Sequence, residues 1–205
     1  MAEQLKLTKM ELRSQQLRLS QLRKYLPTLQ LKKALLQLEV DKVSHEIAIK
    51  ESELSVSREK VERYASLFSD EAANDLFAAV SIQTVQKEHE NIAGVEIPIF
   101  QNVIFAPLGY SFFDTPLWLD SAVLGVKDLI ISRERLALLK EQKRLLEKEL
   151  KEVSIRVNLF EKVLIPKAQA NIKKIRIFLG DLQLTAVAQA KVAKRKILQR
   201  KGAAL

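Results

Sequence analysis

The stretch Leu36-Gln37-Leu38-Glu39-Val40-Asp41-Lys42-Val43-Ser44-His45-Glu46-Ile47 decides the fold, because Leu36, Val40, Val43 and Ile47 recur in steps of four, three and four. That 3.5-residue period lays one apolar stripe along a helix and requires a second helix to bury it. Outward in both directions the frame holds without a slip. Toward the N-terminus it runs through Lys33, Leu29, Leu26, Leu22, Leu19, Gln15, Leu12, Thr8 and Leu5. Toward the middle of the chain it runs through Lys50, Leu54, Ser57, Val61, Tyr64 and Phe68. Thr8 and Glu11 stand at the spacing of a capping box, which places the start of the helix near Thr8.

A second seam occupies the C-terminal half: Ala122, Gly125, Leu129, Ser132, Leu136, Leu139, Lys143, Leu146, Leu150, Val153, Val157, Phe160 and Leu164. There the frame slips by one residue, beside Pro166, and resumes as Ala168, Asn171, Ile175, Phe178 and Leu182. Each segment corresponds to roughly 90 Å of helix, too long for a compact core, so the facing seam must hold it. About fifty residues separate the two, which makes an intramolecular antiparallel pair the simplest arrangement. Setting Phe68 against Ala122 brings Leu29 near Glu161, Thr8 near Leu182, and Pro27 level with Pro166. A proline inside a helix removes a hydrogen bond and crowds the preceding turn, so a shared bend is expected at these two residues.

Between the seams the pattern changes. Ser69-Asp70-Glu71 resembles a helix start and Asp75 to Val80 completes a short helix. Ser81 to Val85 and Val95 to Ile99 read as two short strands around a turn at Asn91–Gly94, with Pro98 suited to an edge. Val103 to Trp118 is apolar and aromatic, the one place suited to a small knob. The expected fold class is therefore all-α: a long two-helix antiparallel coiled coil with a short helix and small β-hairpin inserted at its turn. The expected parts are 1–68 (bend near 27), 69–120 and 121–205 (bend near 166, then a basic tail).

Composition agrees with long helices: 47% apolar, 6% aromatic, 29% charged, and few glycines and prolines. There is no cysteine, no signal-peptide core at the N-terminus and no stretch apolar enough to span a membrane, which fits a cytoplasmic protein. No phosphate-binding glycine loop or paired histidines are present, and the Glu/Lys runs, Glu141-Gln142-Lys143-Arg144 among them, read as solvated helix faces. The net charge of +9 concentrates at the termini: Lys6, Lys9 and Arg13 at one end, Lys191, Lys194, Arg195 and Lys196 at the other. The basic tail lacks interleaved aromatics for base stacking. A non-motor coiled-coil adaptor, and less favourably a basic nucleic-acid binder, are the alternatives this composition leaves.

Arg156-Val157-Asn158-Leu159-Phe160-Glu161-Lys162-Val163-Leu164-Ile165-Pro166 resembles a block of the D-subunit family of V-type ATPases and ATP synthases. Gly94, Val95 and Pro98, within Asn91 to Pro98, resemble that family's mid-chain segment, and Leu26 to Lys33 is similar to its bacterial branch. The resemblance implies a non-catalytic central-stalk rotor subunit with no cofactor, peripheral to the membrane and not inserted in it. It implies that the basic tip faces the catalytic hexamer of A and B subunits. The F subunit and the subunit coupling to the proteolipid ring are the other partners it implies, with no nucleic acid.

Overall fold

The computed structural model describes residues 5–63, 65–66, 76–77, 79–107, 116 and 118–202, the last three without their side chains. Its elements are α1 (Lys9–Glu62), β1 (Ile82–Ile92), β2 (Val95–Phe105), α2 (Leu119–Leu159), a π-helical turn (Phe160–Leu164) and α3 (Ile165–Gly202). The chain is a mostly helical coiled coil with an inserted hairpin. It divides into two compact units, one of residues Lys32–Val153 and one of Met1–Leu31 with Ser154–Leu205.

The seam read from the sequence is the buried stripe. In α1 the buried residues are Leu22, Leu36, Val40, Val43 and Ile47, all of them stations of the frame. Every other described station from Leu12 to Val61 is at least half-buried. Within Lys32–Val153 the partner stripe is Ala122, Leu136, Leu139, Leu146 and Val153, joined by Leu138. The two helices run antiparallel: Lys140 pairs with Glu51 at 2.8 Å and Lys32 with Glu149 at 2.7 Å. Gly125 lies against Val61, one helical turn from its expected opposite. The charged stations Lys50 and Lys143 stay in the seam by lying along it and carrying their ammonium groups to Glu53 and Glu147.

α1 starts as its cap predicts. The Glu11 N–H donates to the Thr8 hydroxyl at 3.3 Å and the Leu12 N–H to the Thr8 carbonyl. The reciprocal half of the box is replaced, since the Glu11 carboxylate accepts from the Gln15 amide at 2.8 Å.

The hairpin differs from expectation in length and placement. Each strand has 11 residues, paired antiparallel from Ile92↔Val95 to Ile82↔Phe105, with irregularities between Ile82 and Thr84 and between Gln86 and Lys87. Lys87 to Glu90, beyond the expected end of the first strand at Val85, is strand interior with its side chains exposed. Its polar residues hid it, because β1 buries no side chain fully and most of its residues face solvent. The connection is the two-residue turn Ala93-Gly94, with φ of 53° and 83°, as a type I′ turn requires. Asn91 braces it by accepting the Gly94 N–H at 2.9 Å.

β2 lies along the helices, with Ile97, Pro98 and Val103 buried. Phe100 sits under the Arg135 guanidinium at 5.1 Å and Phe105 under the Lys127 ammonium at 5.2 Å. Gln142, expected on a solvated face, is the one buried polar side chain among the described residues, and it donates to the Pro98 carbonyl. The hairpin thus folds back along the coiled coil, its turn reaching Lys32. A separate small core gathers Leu76, Ala79, Val80, Leu119, Ala122 and Val123, with Trp118 against it. Leu76, Phe77 and Ala79 are helical, while the expected helix start at Ser69–Glu71 and most of the expected knob at Val103–Trp118 lie outside the described residues.

Candidate partner-binding surface

The unit made of Met1–Leu31 and Ser154–Leu205 carries 18 lysines and arginines against four acids, a net +14. The other unit carries 16 against 21, a net −5, and the two make up the chain's +9. A field of that magnitude and single sign selects acidic partners and repels basic ones.

Within the basic unit, Lys6, Lys9, Arg13, Lys191, Lys194, Arg195 and Lys196 are all exposed. The structure does not gather them into one patch. Lys6 lines a cleft with Arg18, Lys167 and Glu11. From Asp181 to Gln199 every side chain of α3 is exposed, a run of about 30 Å of helix with no buried contact. Lys191 to Lys196 lie in the far half of that run. Its Ala, Leu, Lys, Gln and Arg content supports a helix without a partner, and bases in its last turns oppose the helix dipole. Leu182, Leu184, Val187, Val192, Ile197 and Leu198 stand exposed on it among the charges.

The sequence reading did not single out a second cationic site. Arg23, Lys173 and Arg176 line one cleft with Gln16, Ser20 and Gln169, floored by Leu19 and Ile172, with no acidic residue among the lining. Arg23 comes from α1 and the other two cations from α3, so only the antiparallel pairing assembles them. The cleft brings residues 16–23 of α1 together with residues 169–177 of α3, stretches that overlap those set opposite each other by the sequence frame.

The remaining residues singled out from the sequence are structural in their surroundings. Val157 is buried in the seam, while Arg156, Asn158 and Glu161 are exposed, Glu161 inside the π-helical turn. Gly94 supplies the positive φ of the hairpin turn, Val95 opens β2 and Pro98 is packed against Gln142. Pro27 lies inside α1, which continues through it, and Pro166 is the second residue of α3.

Among the described residues, no helix is long and apolar enough to cross a membrane, and no group of three or more His, Asp or Glu is placed to hold a metal. The family model for the D subunit of ATP synthase matches residues 11–195. The chain is 46% identical to the D subunit of the V-type ATP synthase of Chlamydia caviae over 202 residues, covering 98% of this chain and 97% of that one. It is 45% identical to the same subunit of Chlamydia felis, at the same coverage, and 45% identical to that of Chlamydia muridarum, of which all is covered. A match of that length and level, on a chain whose paired helices and hairpin run the same full span, makes it a member of the D-subunit family of V-type ATP synthases.

Proposed function

We propose that this chain is the central-stalk rotor subunit of a V-type ATPase or ATP synthase, carrying rotation between the A/B catalytic hexamer and the membrane ion-translocating ring. The near full-length similarity to V-type ATP synthase D subunits carries the reading. The architecture supports it. A shaft needs length and torsional stiffness, and paired seams supply both, because each station locks into a hole on the facing helix. It also needs parts that bind different machinery, and the +14 and −5 units differ in charge as such parts would.

In this reading the basic unit enters the hexamer, with the Arg23–Lys173–Arg176 cleft and the lone end of α3 against acidic surfaces of the A and B subunits. The hairpin unit faces F and the subunit coupling to the proteolipid ring. Pro27 and Pro166 curve the basic unit so that it meets the catalytic interfaces unequally. The subunit itself is non-catalytic, takes no cofactor and is cytoplasmic, bound to the membrane only through its complex.

Assembly with a purified A/B hexamer tests this. Converting Lys194, Arg195 and Lys196 to glutamine should weaken the complex roughly 3- to 100-fold at low salt, taking about 0.2–1 kcal/mol for each exposed pair. The difference should shrink as salt rises. Unchanged assembly at every salt concentration would refute the electrostatic half, and no binding by the unaltered chain, with or without F, would refute the whole.

A further inference from the structure

Continuing the seam of α2 from Val157 and Phe160 by steps of four and three gives Leu164, Lys167, Asn171, Lys174 and Phe178. The structure instead buries Ala168, Ile172 and Ile175, each one residue later, with Ile165 and Leu179 half-buried; Lys167, Lys174 and Phe178 are exposed, and Leu164 and Asn171 are half-buried beside the stripe. One residue has therefore been inserted between Phe160 and Ile165. The π-helical turn Phe160–Leu164 is that insertion, since the Ile165 N–H reaches back five residues to the Phe160 carbonyl. In an α-helix one residue is worth about 100° of rotation and about 1.5 Å of rise. Without the wider turn, Lys167 and Lys174 would face the seam in place of Ala168 and Ile175.

Proline does not account for the turn. Pro166 has no N–H to offer the preceding turn, but Pro27 creates the same defect in α1, where the helix stays α-helical and the frame does not slip. The π turn follows the phase of the seam. None of its five side chains is fully buried; Phe160 and Leu164 are half-buried and Glu161, Lys162 and Val163 are exposed, so the turn is only loosely held by the seam.

We propose that Phe160–Leu164 is a one-residue register insert and the point of rotational slip in the paired helices, where the extra residue can shift position along the turn while Ala168, Ile172 and Ile175 keep the seam. The inference goes beyond the rotor reading and is tested on the free chain, so the two stand or fall separately.

Deleting Val163 from the full-length chain places Val157, Phe160, Ile165, Ala168, Ile172, Ile175 and Leu179 on uninterrupted stations. The deletion should leave the unfolding midpoint within about 3 °C of the parent, or above it. A disulfide between L19C and I172C should form as readily as in the undeleted chain. The amides of Leu164, Ile165, Lys167 and Ala168 should exchange at least about tenfold more slowly than in the parent, because the slip has been removed. Deleting Lys24, exposed on α1 where no insert exists, should lower the midpoint by more than about 10 °C. If the Val163 deletion unfolds like the Lys24 deletion or loses the disulfide, the turn is not a register insert. If it keeps both but amide exchange is unchanged, the turn is a static insert and the slip is refuted.

Discussion

Gln142 ties the hairpin to the helices, and its removal gives the most quantitative prediction on stability. Its side chain is buried and donates to the carbonyl of Pro98, itself buried. In Gln142→Ala the carbonyl loses its donor, at about 1–3 kcal/mol for a buried group left unpaired. One packed methylene is lost as well, at about 0.8 kcal/mol. The combined cost of roughly 2–4 kcal/mol multiplies the open population of the hairpin about 30- to 1,000-fold, at 1.4 kcal/mol per tenfold. Gln142→Met separates the two effects, since it fills the site without donating, and should raise opening about 5- to 150-fold. Amide hydrogen exchange across Ile97–Val103 reads the opening directly. If exchange there matches the parent in Gln142→Met, the hydrogen bond does not hold the hairpin and the reasoning fails.

Leu36→Ala should cost about 2–5 kcal/mol, because Leu36 is 0% exposed in the seam, whereas Leu38→Ala, at 65% exposed, should stay within about 0.5 kcal/mol. Denaturant titration compares the two. Ala93 sits at φ 53°, a conformation that costs a non-glycine residue about 1–2 kcal/mol, so Ala93→Asn, giving the favoured Asn-Gly turn, should raise the hairpin's stability and slow amide exchange across Asn91–Val95. The Lys32–Glu149 pair is half-exposed, so Lys32→Met should cost no more than about 1 kcal/mol, with the difference fading in high salt. A thermal-melt series in salt checks it.

The seam was legible because burial in a coiled coil obeys one periodic rule. Leu22, Leu36, Val40, Val43 and Ile47 are buried where stepping by three and four puts them. The hairpin was legible only at its turn and its β-branched ends. β1 carries Gln86, Lys87, Glu88, His89 and Glu90 as strand residues because it faces solvent, so no alternation marks them. Gln142 looked solvated because its neighbours are charged; only the hairpin folding back makes its position an interior one. In α3 the slip was visible but its phase was not. Asn171 and Phe178 fitted the resumed frame as well as Ile172 and Leu179, and the choice depends on where in the turn the extra residue sits. The Arg23–Lys173–Arg176 cleft joins residues about 150 positions apart, so it emerges only once the register of the two helices is known.

Rotation is the central claim, and it is observed most directly by fixing the A/B hexamer to a surface and attaching a visible probe to the hairpin of this chain, for instance at an exposed β1 position such as Gln83. The account predicts that added ATP turns the probe in one direction about the hexamer axis, and that it stops when ATP is withdrawn. A chain that stays bound with a stationary probe while the hexamer hydrolyses ATP would contradict it.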